Sequence, residues 1–322
     1  MRLLKAILIR LFFGLASLLF ITFVVFVADE LRPGNAALYY AGEKASAADV
    51  SRIEHNMGLD RPWPIRYVEF ASSALKGDFG KSYFGTHEEV SSILQRDMPI
   101  TLKIALYAIV LASAVGILLG TIAAVKENRL ADRSILTLST LGVTLPNFVL
   151  APLLVGYFAL YGQWLPQDWS YPLRGPEIYY LILPVVCMSL RPMATLTRLT
   201  RASMIDSLQQ EYVRLAVAKG VPPLRLYIRH ALRNAILPVV TSIGTSFGFL
   251  LTGSFVVERF FRLPGLGHEA IEAVQRGDMP VVMATVVVTG LLFITVNLIV
   301  DVPPASSPSS SRRSRTGRAA GA

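Results

Sequence analysis

Six long apolar blocks punctuate the chain, at residues 8–28, 100–125, 135–161, 179–200, 235–257 and 281–300. Each holds about the 20 apolar residues needed to cross the hydrocarbon core of a bilayer. Lipid offers no partner for open backbone groups, so such spans are helices. Between the fourth and fifth blocks the pattern changes. Residues 203–238 are polar and basic, yet they keep helical spacing. Ile205, Leu208, Tyr212 and Leu215 recur at steps of three and four, which predicts one apolar stripe on a first loop helix. Gly220 suits the left-handed position that ends a helix. Pro222 and Pro223 suit the first turn of the next, where a missing N–H costs nothing. Leu224, Ile228, Leu232 and Ala235 then share a face, and Arg225, Arg229 and Arg233 form a basic edge. Nothing separates this second helix from the fifth block, so motion of the loop would pass into the membrane. On periodicity alone, the same stretch also fits an amphipathic helix lying on the membrane surface.

Residues 29–99 form the longest connection. Turn signals occur at 32–34 and 58–62. Helices are predicted over 47–57, with Ser46 as N-cap, and over 64–75, with Ile65, Val68, Ala71 and Leu75 on one face. The 162–178 loop carries Trp164, Trp169 and Tyr171, residue types that favour the membrane–water boundary. From Asp301 onward the composition turns abruptly to Ser, Pro and Arg, a low-complexity tail that has no core to bury. Its arginines suit anionic lipid headgroups.

Composition agrees with a membrane protein. The chain is 53% hydrophobic and 16% charged, against about 25% charged in ordinary soluble domains. The net charge is +9. Its distribution argues against nucleic acid as the partner. The N-terminal flank, the 126–133 loop, the 198–233 loop and the tail are rich in Arg and Lys. The opposite short loops hold only Arg174, Arg259, Arg262 and Arg276. By the positive-inside rule both termini are cytoplasmic and residues 29–99 external. The N-terminal apolar run is long and lacks a small-x-small cleavage pattern, so it reads as a retained span.

Little in the chain points to chemistry. The four histidines are scattered over both faces without ligand spacing, and the single Cys187 lies in an apolar block, so no metal site is expected. Residues 77–82, GDFGKS, imitate a phosphate-binding loop, but the position of its first glycine is Leu75. Gly116/Gly120 and Gly244/Gly248 have the spacing of close helix contacts. Hydroxyl residues on the fifth and sixth spans suit either packing or a hydrated path. Asp and Glu avoid the span interiors, leaving no carboxylate for ion coupling. Arg191 is the anomaly. It falls inside the fourth block, where a charge costs roughly 2.5–3.5 kcal/mol. It faces a path or a partner and meets a carboxylate there, or else the true boundary lies earlier and it is interfacial.

The loop resembles a known motif residue by residue. Glu211-Tyr212-Val213-Arg214-x-Ala216-x-Ala218-Lys219-Gly220, followed by Arg229-His230-Ala231-Leu232-Arg233-Asn234-Ala235-Ile236-Leu237-Pro238, is similar to the EAA loop of permeases in binding-protein-dependent ABC importers, in the form of the dipeptide/oligopeptide/nickel branch. Gly58-Leu59-Asp60-Arg61-Pro62, residues 76–82, Leu145-Pro146-Asn147-Phe148 and Val257-Glu258-x-x-Phe261-x-x-Pro264-Gly265-Leu266-Gly267 resemble further segments of that branch. The likeness runs from the start to Asp301. There the family typically continues with an apolar-aromatic stretch, whereas Val302-Pro303-Pro304 cuts this sixth helix short, through a frameshift or a divergent terminus.

This resemblance implies an all-α integral membrane protein with six transmembrane helices, the type I ABC importer permease fold, and cytoplasmic termini. It divides the chain into an N-terminal span (1–28), an external segment (29–99), a permease core (100–301) containing the loop at 203–238, and a tail (302–322). The implied function is a translocation path for peptides, nickel or a related solute. The implied partners are a second permease subunit, two cytoplasmic ATPases that carry the ATP, an external solute-binding protein and membrane lipid. The chain itself would bind no cofactor and catalyse no reaction. Glu211, Tyr212, Ala216, Gly220, Arg229, His230, Asn234 and Pro238 would form the ATPase-coupling loop. Glu258, Pro264, Gly265 and Gly267 would form an external gate loop. Two other readings remain: a membrane scaffold whose loop docks a partner other than an ATPase, and a secondary transporter, which the missing carboxylates disfavour.

Overall fold

The computed structural model describes residues 2–31, 36–41, 45–169 and 175–301. The 32–34 turn, Tyr171, Arg174 and the tail lie outside the described residues. Fourteen helices are described: α1 (Arg2–Glu30), α2 (Ala36–Ala41), α3 (Ala47–Asn56), α4 (Trp63–Ala74), α5 (Val90–Val125), α6 (Leu130–Thr144), α7 (Asn147–Leu154), α8 (Glu177–Leu208), α9 (Glu211–Ala218), α10 (Pro223–Arg225), α11 (Arg233–Gly253), α12 (Phe255–Phe260), α13 (Leu266–Arg276) and α14 (Met279–Asp301). Two π-helical stretches, Val155–Tyr161 and Leu226–Leu232, continue α7 and link α10 to α11. No strand occurs among the described residues; the sole extended pairing there is an isolated bridge between Lys81 and Glu89.

Among the described residues five helices are long and apolar enough to cross a membrane. The predicted third span departs from the expectation of one continuous helix. It is a bent pair, Leu130–Thr144 and Asn147–Tyr161, meeting at 107°. The cause is local. Pro146 disfavours helical backbone at Leu145, which takes up φ −76°, ψ 120°. Counting the pair as one element recovers six spans. The fifth helix ends at Gly253, short of the predicted Val257, and the chain resumes as α12.

The core forms where α5 and α8 lie against each other. Ala105, Ala108 and Ala112 of α5 are fully buried, as are Leu196 and Cys187 of α8. A Cβ on Gly116 would lie 3.0 Å from the Met193 carbonyl oxygen, and one on Gly120 would lie 2.5 Å from that of Thr197. Between helices in lipid the hydrophobic drive is weak, and close backbone approach supplies contact in its place. Gly248 meets a side chain and not backbone: a Cβ there would lie 3.3 Å from the Phe293 ring of α14. Cys187 packs there as an apolar residue.

Two features stiffen this bundle. At one end, hereafter the loop end, Arg201 of α8 donates to both oxygens of the Asp132 carboxylate at 2.6 and 2.7 Å, while the Asn128 N–H donates to the same group at 2.9 Å. Asp132 is buried, so the pair ties the start of α6 to α8. At the opposite end, Ser82 donates to the Asp278 carboxylate, and the Tyr83 N–H bonds to it at 3.1 Å. The phosphate-loop look-alike is therefore a clip that holds the 76–89 segment against the start of α14.

Candidate coupling loop and external lock

The loop is helical on both sides of Gly220, as its periodicity predicts, but its buried faces differ from the predicted ones. The helix of the fourth span runs on to Leu208, so Ile205 and Leu208 belong to α8 and not to the loop helix. A break at Gln209 and Gln210 starts α9. Val213 and Ala216 then turn inward, packing with Leu226, Leu208 and Val221. Tyr212 and Leu215, predicted on the apolar stripe, are exposed at 39% and 57%. The second helix is offset for a different reason. Its buried residues are Leu226, Ala231 and Ala235, spaced by five and then four. The step of five belongs to the π-helical stretch, and it turns Leu224 and Ile228 outward. The path from Pro223 to Gly253 is nonetheless continuous over 31 residues.

The turn itself is a Schellman motif. The Val221 N–H donates to the Ala216 carbonyl at 3.2 Å and the Gly220 N–H to that of Val217 at 2.9 Å, with Val221 packed on the same cluster. Gly220 has φ +75°, and nothing lies within 4 Å of where its Cβ would be. Conformation requires the glycine here; space does not. Ser207 supports the loop from behind. Its hydroxyl donates to the Ala231 carbonyl at 2.9 Å and lies 2.6 Å from the Tyr212 hydroxyl. Ala216 is buried, His230 is half-buried, and Glu211, Arg229, Asn234 and Pro238 are exposed.

Arg191 is exposed on α8 and has no carboxylate partner among the described residues. Thr195, Arg198, Ala202 and Asp206 are exposed on the same side at helical spacing, so a largely polar line runs down the face of α8 opposite its packing with α5.

The predicted external loop is closely packed. Glu258 is fully buried. Its Oε2 accepts from the N–H groups of Gly267 at 2.7 Å and His268 at 3.3 Å, at the start of α13. Thr101 of α5 accepts from the Leu266 N–H at 2.9 Å. Carboxylate and hydroxyl thus satisfy helix N–H groups that lack intrahelical partners. A Cβ on Gly265 would fall 2.5 Å from Glu258 Oε2 and 2.8 Å from Thr101 Oγ1, and one on Gly267 would fall 2.5 Å from Phe255. Pro264 is partly buried beside them. Burial pushes the Glu258 carboxyl above its ordinary pKa, against the lowering effect of the bonds it accepts. The expectation that carboxylates stay out of the interior therefore holds for the middle of the spans but not for their ends, where Asp97, Asp132 and Glu258 are buried. Trp169 also departs from a surface role: its backbone N–H donates to the Phe261 carbonyl at 2.9 Å and its ring meets Tyr180. Trp164 remains exposed.

Sequence reasoning missed Thr101, Asp132, Ser82, Asp278 and Ser207. Single hydroxyls and carboxylates near span ends carry no periodic signal. The histidines remain apart: His55 bonds Asp60, and His87 bonds the Ser82 carbonyl. Among the described residues no His, Cys, Asp and Glu side chains converge as a metal site.

Residues 116–302 match the family model described as "Binding-protein-dependent transport system inner membrane component". This chain belongs to that family. Residues 3–105 match the companion model of the family's N-terminal part. The dipeptide transport system permease protein DppB of Bacillus subtilis is 36% identical over 89% of this chain and 91% of its own length. The glutathione transport system permease protein GsiC of Escherichia coli K12 is 38% identical over 91% and 94%. A probable peptide ABC transporter permease protein of Sinorhizobium fredii is 34% identical over 91% and 94%. The chain is thus a multi-pass membrane permease component of a binding-protein-dependent transporter, which sets aside the scaffold and secondary-transporter readings.

Proposed function

We propose that this permease carries short peptides inward, powered by cytoplasmic ATPase subunits that seat α9 and its Schellman turn. The peptide assignment rests on relatives whose names specify dipeptide, glutathione and peptide transport. The coupling assignment rests chiefly on one observation. Tyr212, Leu215 and Val217 of α9 are apolar and exposed, while Val213 and Ala216 anchor the helix from behind. A helix so mounted transmits a push along the continuous 223–253 path. In this reading the loop end and both termini are cytoplasmic. Glu211, Arg229, His230, Asn234 and Pro238 surround the docking surface. A solute-binding protein delivers cargo at the opposite end, and a second permease subunit pairs with this one. The chain holds no ATP itself. Arg191 faces the translocation path or the paired permease and meets a carboxylate supplied from there. The segment around Glu258, Pro264, Gly265 and Gly267 closes the external side.

The test compares two substitutions of Gly220. Asn tolerates positive φ and projects little, whereas Trp projects into the open space around the turn. Gly220→Asn should retain ATPase co-purification and peptide uptake. Gly220→Trp should insert normally yet lose both. Normal uptake with Gly220→Trp would remove α9 from the coupling role.

A further inference from the structure

We infer that α4 lies within the membrane interface, with Ile65, Val68 and Leu75 against lipid acyl chains. The sequence assigns this helix to an aqueous external segment, but its contacts place it deeper. Helix α1 is uncharged from Leu11 to Ala28 and becomes charged at Asp29 and Glu30, which marks the edge of the hydrocarbon on that side. The Tyr67 hydroxyl donates to the Leu19 carbonyl at 2.8 Å and lies 3.0 Å from the Thr22 hydroxyl. Leu19 and Thr22 precede Asp29 by about ten and seven residues, or roughly 15 and 10 Å at 1.5 Å per residue. Allowing for the length of the tyrosine side chain, the backbone of α4 sits some 5–10 Å inside the edge, the depth of an interfacial amphipathic helix. Aromatic contacts fix the same level. Tyr67 meets Phe23 and Phe26 at 5.5 and 5.4 Å between centroids, and Trp63 meets Phe23 at 6.1 Å.

The charges of α4 agree with this placement. The helix carries only two, Arg66 and Glu69. Arg66 crosses the Phe26 ring and reaches Glu30 at 3.0 Å, and Glu69 pairs with Arg61 at 2.6 Å. Each charge is paired, and Arg66 snorkels back to the charged edge. On the side away from α1, Ile65, Val68 and Leu75 are 49%, 65% and 89% exposed. These are three of the four residues predicted on the apolar face (Ala71, the fourth, is half-buried), and none of the described residues covers them. At this depth the medium beside them is acyl chain, which accommodates an apolar stripe as water does not.

Spin labelling of the full-length chain in bilayers tests the inference, because the native Cys187 is fully buried and leaves introduced cysteines as the labelled sites. Nitroxides at Ile65→Cys and Val68→Cys should collide more with oxygen, which partitions into acyl chains, than with a water-soluble nickel chelate. At Glu69→Cys the ratio should be several-fold lower. Both stripe positions are exposed, so neither label perturbs packing. Nickel-chelate contact exceeding oxygen contact at 65 and 68 would return α4 to water. Low contact with both reagents would mean that protein covers the stripe. Either result overturns the proposal.

Discussion

Gly220 and Gly265 occupy two chain reversals at opposite ends of the same molecule, and they are glycine for opposite reasons. Gly265 is enclosed. A side chain there would meet the Glu258 carboxylate and the Thr101 hydroxyl within 2.8 Å. Gly220 is open on every side, but its φ of +75° is one that L side chains rarely adopt. The same contrast holds around them. Near Gly265 a buried carboxylate, a hydroxyl and helix N–H groups interlock. Near Gly220, Tyr212, Leu215 and Val217 of α9 face outward. One reversal is held by its own chain. The other is preformed and left uncovered by the described residues.

Substitution at the two glycines gives the sharpest test. Gly265→Ala should cost about 3 kcal/mol, the upper part of the range for overpacking a filled site. It should be read as lost yield of folded protein on size-exclusion chromatography, and Gly265→Asn should fare no better. If Gly265→Ala folds like the parent, the enclosure is looser than described. Next comes Glu258→Ala, which strands the Gly267 and His268 N–H groups and should cost roughly 2–3 kcal/mol. Glu258→Gln keeps an acceptor oxygen and should cost less.

The pH dependence separates these variants further. The folded-state pKa of Glu258 is raised by burial. Between its unfolded and folded values the native state therefore holds the extra proton, and stability falls as pH rises through that window. An apparent melting temperature followed against pH should show that decline in the parent and a shallower one in Glu258→Gln. Equal slopes would show that Glu258 does not contribute to it.

Smaller effects are expected at the open turn. Gly220→Ala should lower stability by about 1–2 kcal/mol, the penalty for a left-handed residue with a Cβ, and Gly220→Asn by less. A loss at Gly220→Ala as large as that at Gly265→Ala would erase the distinction between the two glycines. The smallest change is Ser207→Ala, about 1 kcal/mol for one hydrogen bond, seen as a modest shift in thermal melting. Its bond to the Ala231 carbonyl ties α8 to the π-helical stretch behind α9, so a larger loss would mark that tie as central to the loop.

The legible features were those with a period or a specific local geometry. The spans, the Ser46 cap and the Gly220 stop follow from spacing and backbone preference. Ser46 accepts from the Asp49 N–H at 3.2 Å, as its position suggested. The helix 64–75 was legible as an element, yet its apolar face turned out to point away from the protein. Periodicity identifies an apolar stripe without saying whether protein or lipid lies beside it. The Pro146 break was visible as a residue, but its effect of turning one predicted span through 107° was not. The π-helical stretch escaped notice because it alters the repeat from which the buried face was read.

The sequence by itself determined that this is a helical membrane permease, because apolar length and the loop motif are local properties of the chain. The family and the position of the Gly220 turn were available without a fold. The tertiary structure decided which ends are locked and which are open. Thr101 reaches Leu266 across 165 positions, Ser82 reaches Asp278 across 196, and Arg201 reaches Asp132 across 69. Such bonds join single polar residues far apart in the chain, and nothing in the order of residues marks one as the partner of the other. They exist because helix packing brings the two ends of each bond together at a buried site, where an unpaired polar group is costly.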